Sequence, residues 1–389
     1  MSAAPSRKTS ASAPKPGRSP GKATVETERP AEPATPRLRA KVGLGSLPVR
    51  PGTQPMEAKL VEELPKEEGW QFEPKWDGFR CLAYRAGPDV ELQSKSGKSL
   101  ARYFPDVVAA LQTLPLDRFV LDGELAILSG DALSFDALQN RLHPAESRVR
   151  KLATEAPAMF IVFDCLATAE DGSLMEAPLT RRRMALERFF ASLGDQLTLR
   201  LTPYTRDAAT ARGWLKKARG SLDGVVAKRL DGRYVPGERE MLKVKLLRTA
   251  DCVVGGFRYA ADSNLVGSLL LGLYDDAGKL HHVGFTSTIK DEERKALTKR
   301  LEKMIEPPGF TGEAPGAPSR WSNERSAEWK PLKPQLVVEV KYDQVTGNRF
   351  RHGTRLLRWR PDKKPDQCTC DQLQREAPPA KLVAEVIGR

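Results

Sequence analysis

Cysteine is scarce in this sequence, and histidine scarcer still. Five cysteines stand among 389 residues: Cys81, Cys165, Cys252, Cys368 and Cys370. Their odd number and irregular spacing argue against a disulfide framework. Cys368 and Cys370 are one residue apart with no matching pair elsewhere, which argues against a zinc site. Reduced thiols in a cytosol are the remaining reading. The four histidines, His143, His281, His282 and His352, form no metal-ligating pattern. No apolar run approaches the roughly 18 residues needed to cross a bilayer. The N-terminus has no hydrophobic signal core. Internal repeats are absent as well. A cytoplasmic protein with no membrane partner is expected.

What the chain has in excess is positive charge. Its formal net charge is +13, which favours polyanionic partners through attraction and counterion release. Residues 1–55 hold ten Lys/Arg against three Asp/Glu, so the remainder carries about +6. That first segment is rich in Pro, Ala and Ser without apolar periodicity. It predicts a disordered basic tail, either a non-specific DNA arm or a solubilising extension.

From there the texture is mixed. Residues 81–84, 119–128 and 159–166 are strand-like, as are 222–228 and 241–246. Residues 181–193 and 208–218 show helical periodicity. This mixture predicts an α+β domain around an antiparallel sheet over residues 56–248. After Arg248 the strand-like runs 252–259, 267–274, 280–286, 337–342 and 354–359 follow. One helix, 291–305, and a Gly/Pro-rich loop, 307–320, interrupt them. Five strands and one helix predict a small β-barrel of the OB-fold type over 249–370. A C-terminal extension would occupy 371–389.

Five short constellations carry the chemistry. The sharpest is Glu73-Pro-Lys75-Trp-Asp77-Gly78-Phe-Arg80. A bare Lys-x-Asp-Gly is expected by chance in about one chain of this size in ten, and Asp-Gly between apolar residues is a common hairpin turn. Asp122-Gly123-Glu124 and Asp223-Gly224 admit the same plain explanation. Lys243-Val-Lys245 places two lysines on one face of a strand. Arg360-Pro361-Asp362-Lys363 closes the last strand-like run. Each alone is more often a turn or a solvated face; the ordered set is not.

That order resembles the covalent nucleotidyltransferases, the superfamily of DNA ligases, RNA ligases and capping enzymes. It is most similar to the short bacterial ATP-dependent DNA ligases of the LigC type. The similarity runs through Arg102-Tyr-Phe-Pro105, Leu142-His-Pro-Ala-Glu-Ser147, Thr249-Ala-Asp-Cys-Val253 and Arg349-Phe-Arg-His352, over roughly residues 56–370.

The resemblance implies an ATP-dependent ligase that seals 5′-phosphate/3′-hydroxyl nicks in duplex DNA, in repair. ATP and Mg²⁺ (or Mn²⁺) are the implied cofactors. Nicked DNA is the implied partner of a monomeric, nucleoid-associated protein, with repair proteins as further partners left open. Lys75 would attack the ATP α-phosphorus and carry AMP. It must be neutral to attack, whereas free lysine is protonated at pH 7. Lys243, Lys245 and a divalent ion are suited to lowering its pKa. By the same matching, Glu73 recognises adenine, Arg80 and Glu124 meet the ribose, and Phe163 stacks on the base. Glu124 and Asp223 bind metal. Lys243 and Lys245 bind the α-phosphate, and Arg360, Asp362 and Lys363 orient pyrophosphate.

Two positions depart from the wider pattern. Asp223 stands where many ligases carry Glu, a substitution often found in the LigC type. Ser94-Lys95-Ser96-Gly97 stands for Ser-Arg-Asn, so Lys95 keeps the charge for the nicked strand but loses the bidentate fork. Two other readings are retained at this level: an RNA or mixed-strand ligase, and a non-catalytic basic DNA-binding protein on a degenerate ligase fold. The intact Lys75, Glu124, Lys243 and Lys245 argue against the latter.

Overall fold

The computed structural model describes residues 43–130, 132–194, 198–217, 222–316 and 328–373. The expected tail before residue 43 and the extension after 373 lie outside them. Within the compact unit that follows Lys41, two lobes form around separate cores.

The first lobe holds two sheets. The larger has the strand order Asp89–Ser94, Phe79–Ala86, Arg118–Ser129, Ala158–Thr168, Gly172–Ser173, all antiparallel. Leu199–Leu201 runs parallel beside Ala158–Thr168. Helices Pro105–Thr113 and Leu179–Ala191 cover one face, burying Val107, Leu111, Leu186 and Phe189 against Leu121, Phe160 and Val162. The smaller sheet has the order Ala58–Leu60, Met241–Lys245, Gly224–Arg229, Trp70–Lys75.

Side-chain alternation decides the smaller sheet's role. Phe72, Val225, Ala227 and Val244 turn to one face and pack with Ala211 of helix Ala208–Lys217. The intervening residues, among them Glu73, Lys75, Lys228, Lys243 and Lys245, therefore share the opposite face. Gly224 is required where this sheet tightens. Its φ is +150°, and a Cβ there would collide with the Val244 carbonyl.

The second lobe is a barrel. Strands Arg248–Tyr259, Val266–Tyr274, Leu280–Thr286, Val337–Tyr342 and Arg355–Trp359 form its antiparallel wall, with Lys330–Pro331 alongside. A bridge between Thr286 and Thr354 joins the last strand to the third, as in an OB fold. Helix Asp291–Glu302 buries Leu297 and Leu301 in the same core.

The structure departs from expectation in three places. Residues 43–55, expected to belong to the tail, lie within the described chain and are anchored to the first lobe. Leu47 and Val49 are 3% and 2% exposed and pack with Leu82, Tyr84 and Tyr234, apolar anchors that a Pro- and Lys-rich composition conceals. The barrel helix ends at Glu302, short of residue 305. Helices Pro105–Thr113, Phe135–Arg141 and Glu146–Glu155 also form.

Candidate active site

The two sheets of the first lobe face each other across a pocket. Its wall includes Glu73, Lys75, Arg80, Lys95, Glu124, Phe163, Lys228 and Lys243. One side comes from the shared face of the small sheet. The other comes from the large sheet, where Arg80 lies directly opposite Glu124. Asp122-Gly123-Glu124 is therefore mid-strand and no turn. The Lys75–Arg80 segment links the two sheets at Gly78, where a Cβ would collide with the Leu125 carbonyl. Only glycine lets the lysine loop come so close.

Phe163 lines the pocket at a bulge. Asp122 pairs with Asp164, but Gly123 pairs with Val162, leaving Phe163 unopposed. Before the bulge Phe160 and Val162 enter the helix-covered core; after it Cys165 does. Phe163, next to core-facing Val162, turns to the pocket side, and the extra residue then reverses the alternation so that Cys165 rather than Asp164 enters the core. Arg80 lies 4.5 Å from its ring centroid and Lys228 4.8 Å.

Charges in the pocket are paired. Lys75 Nζ is 2.5 Å from Asp223 Oδ2, and the Asp223 amide donates to the Lys75 carbonyl at 2.9 Å. Arg80 donates twice to Asp122, both at 2.6 Å, and Tyr234 donates to Asp122 at 2.6 Å. Lys228 is 2.9 Å from Glu73. Lys95 sits at the rim, 2.9 Å from Glu57.

Burial and these neighbours set the protonation behaviour. Burial pushes the Glu124 carboxyl up to about 7, against the opposing pull of Lys75 and Arg80. Burial also lowers Lys243, reinforced by Lys75, Lys245 and Lys95. Lys75 differs from expectation. Burial alone would lower it, but Asp223, Glu124 and Asp77 overcome that, and its pKa lies above the ordinary lysine value. The carboxylates around it outweigh the two nearby lysines.

The second lobe reaches this site through a loop to which no role was attached from sequence. Asp343 is 2.6 Å from Lys245, which is also 3.6 Å from Asp223. Gln344 donates to Asp223 at 2.8 Å, and Arg351 forks onto Asp77. The Arg349-to-His352 segment was the available signal.

Arg360, Asp362 and Lys363, by contrast, are not brought to the pocket. Arg360 Nη1 and Lys363 Nζ lie 2.8 and 2.7 Å from the two oxygens of Asp251, and Arg360 also binds Asp362. Among the described residues, no three His, Cys, Asp or Glu side chains converge as a metal site. No helix among them is long and apolar enough to span a membrane.

A lysine held between carboxylates and flanked by two more lysines, beside an aromatic ring, suits binding and activation of a nucleotide phosphate. Comparison with known proteins agrees. The family model described as ATP dependent DNA ligase domain matches residues 54–245, and that of the ATP dependent DNA ligase C terminal region matches residues 262–363. The chain is 45% identical over 338 residues to DNA ligase C1 of Mycolicibacterium smegmatis, covering 84% of this chain and 95% of that protein. It is 42% identical over 345 residues to DNA ligase C of Mycobacterium tuberculosis, covering 85% and 96%. The solved structure called Pmar-Lig_Pre shares the fold at TM-score 0.55 and 18% identity, over 79% of this chain and 68% of that one. The chain belongs to the ATP-dependent DNA ligases, and to their short LigC type.

Proposed function

With that membership as premise, we propose that the protein seals 5′-phosphate/3′-hydroxyl nicks in duplex DNA, in repair, through AMP carried on Lys75. The observation that carries this reading is the position of Lys75. Its amine lies on the pocket wall beside Lys243 and against Asp223, with Phe163 and Glu73 lining the same space.

The steps follow from these residues. The Lys75 amine gives up a proton, for which Asp223 at 2.5 Å is the nearest acceptor. Its lone pair forms a P–N bond to the α-phosphorus as the bond to pyrophosphate breaks. Lys243, charged and half-buried, neutralises the developing negative charge. The 5′-phosphate of the nick then takes AMP from Lys75. Finally the 3′-hydroxyl displaces AMP, forming the phosphodiester. Phe163 and Glu73 hold the base during the first two steps, and Arg80 and Glu124 hold the ribose.

Mg²⁺ or Mn²⁺ fits the donor set. Such an ion needs only one or two carboxylates, with phosphate oxygens and water completing the shell. Glu124 and Asp223 are the residues to hold it. When bound it would supply positive charge to the phosphates and would offset the carboxylate charge of Glu124 and Asp223 that raises Lys75.

Arg360, Asp362 and Lys363 serve the first step in this reading, after the barrel turns about the 245–249 junction. Lys95 at the rim serves the DNA phosphates.

Incubation with α-³²P-labelled ATP, Mg²⁺ and nicked duplexes with DNA or RNA strands tests the reading. An acid-labile protein adduct is expected, lost in Lys75→Ala and chased onto a DNA nick. An adduct that survives in Lys75→Ala overturns the nucleophile assignment, and preference for an RNA strand overturns the substrate.

A further inference from the structure

Asp343 lies just past strand Val337–Tyr342 of the barrel, and its carboxylate meets Lys245 at 2.6 Å. Both side chains are only 15% exposed. The carboxylate is fixed from behind. The Gln344 amide donates to its Oδ1 at 2.8 Å, and His352 Nδ1 lies 3.0 and 3.1 Å from the two oxygens. The Arg351 amide donates to the Gln344 carbonyl at 3.0 Å, closing the small hairpin that pairs Val345–Thr346 with Arg349–Phe350. A hairpin tied to itself thus presents one negative group to the small sheet. Lys243 lines the nucleotide pocket, whereas Lys245, two residues on along the same face, meets this carboxylate.

We propose that Asp343 is a step-selecting positioning residue: in the docked arrangement it takes the place of a phosphate on Lys245, excluding ATP from the first step and holding that lysine for the sealing of DNA. The proposal rests on the reading of this pocket as the ATP site, with Lys245 serving the phosphates.

A carboxylate and a phosphate oxygen are both anionic acceptors for an ammonium N–H. Lys245 carries one positive charge, which Asp343 already offsets. A triphosphate entering there would meet Asp343 as a like charge, and such repulsion is strong in a partly buried site. Gln344 adds to the exclusion by occupying Asp223 Oδ1 at 2.8 Å. ATP and the docked hairpin therefore compete. The affinity measured for ATP is then the intrinsic one reduced by the fraction of protein that is undocked. Once pyrophosphate has left, the same contact serves the later steps. Lys245 would otherwise be a largely buried cation without the phosphate it had bound. Asp343 returns a counter-charge and fixes the ammonium near Asp223. Burial opposes ionisation of Asp343, but His352 and Lys245 outweigh it and hold the carboxyl well below the usual range.

The test measures single-turnover self-adenylylation over a series of ATP concentrations, beside sealing of a nick that already carries 5′-AMP. Asp343→Asn keeps the shape of the side chain and removes its charge. The ATP concentration giving half-maximal labelling should fall roughly 5-fold or more, at the lower end of typical coupling between two binding events. The labelling rate at saturating ATP should change little, while sealing of the pre-adenylylated nick slows by a similar factor. A merely structural role would impair both reactions. Arg351→Ala separates docking from simple charge. It releases the same hairpin but removes a positive group, so charge alone would weaken ATP binding, whereas release from competition strengthens it. A lower half-maximal ATP concentration in both variants supports the proposal. An unchanged concentration in Asp343→Asn overturns it, as does loss of both reactions in that variant. A fall in Asp343→Asn with a rise in Arg351→Ala would make Asp343 a plain repulsive charge and overturn the competition. Failure of ATP to label the unaltered protein overturns the ATP-site reading itself, and the proposal with it.

Discussion

Arg351 grips Asp77 with both ends of its guanidinium, Nη1 at 2.7 Å from Oδ1 and Nη2 at 3.0 Å from Oδ2. The two residues are 274 positions apart and belong to different lobes. Both side chains are largely buried, and the Arg351 guanidinium also lies over the Phe135 ring at 3.5 Å. Asp77 is two residues from Lys75, so this contact docks the barrel beside the reactive lysine. Asp343 on Lys245 and Gln344 on Asp223 extend the same docking.

Arg351→Ala should therefore reduce nick sealing by roughly tenfold or more, since the barrel is no longer docked beside Lys75 and Asp77 becomes open to water when the lobes part. Arg351→Lys should not rescue it, because an ammonium cannot fork onto both oxygens. Each lobe keeps its own core, so the melting temperature should change little. Sealing rates measured beside thermal melts decide the matter. Unimpaired sealing by Arg351→Ala would show that the docking is incidental.

Glu124 makes a pH-dependent prediction for the nucleotide-free protein. Burial raises its pKa to about 7 from an ordinary 4.5. A carboxyl raised in the folded state favours folding at low pH, and that stability is lost as pH rises from about 4.5 through 7. Glu124→Gln, which stays neutral, should raise the melting temperature at pH 8.5 more than at pH 5. It should also abolish ligation, the exchange of stability for activity found at strained sites. Equal shifts at the two pH values would count against the buried, destabilising carboxylate.

Leu47 offers a stability test of the early chain. It is 3% exposed and packs with Leu82 and Tyr84 on the back of the strand that carries Arg80. Leu47→Ala should cost about 2–5 kcal/mol, the usual range for a buried leucine, and lower the melting temperature by several degrees. A melt indistinguishable from the unaltered protein would mean this segment is not anchored there.

How much of this could be read from sequence depends on how local each signal is. Lys243 and Lys245 were legible because a strand's period of two is a local rule. The same rule put Glu73 and Lys75 on one face once Trp70–Lys75 was a strand. Asp122-Gly123-Glu124 falls inside the strand-like run 119–128, yet admitted a turn because Asp-Gly usually is one. Its glycine is there for another reason: a Cβ would meet the Phe160 ring and the Ile161 carbonyl at 2.6 Å. That packing depends on a strand nearly forty residues later. Phe163 was placed by resemblance, since a near-continuous apolar run does not show which of its faces borders a pocket. The Arg351–Asp77 contact had no local signature, and neither did the raised pKa of Lys75, which is a sum over carboxylates from three segments.

The last prediction concerns Asp251, which binds Arg360 and Lys363 together on the barrel. If those two cations serve pyrophosphate in the first step, Asp251 holds them away from it in the arrangement seen here. The loop bearing Asp343 and Arg351 faces the pocket instead. Replacing Asp362 and Lys363 together by Ala should then slow self-adenylylation much more than sealing of a nick already carrying 5′-AMP. Asp251→Asn should act in the opposite sense on the first step. It keeps the size of the side chain but removes the charge, so Arg360 and Lys363 are released more readily to the ATP phosphates. Both surrendered contacts are charge-assisted, so the change should be visible in single-turnover rates. The measurement pairs ordinary and pre-adenylylated nicks for each variant. Faster first-step labelling in Asp251→Asn, with slower first-step labelling in the double variant, fits a shared pool of cations. Equal losses on both nicks in both variants would instead make the cluster a structural tie of the barrel wall.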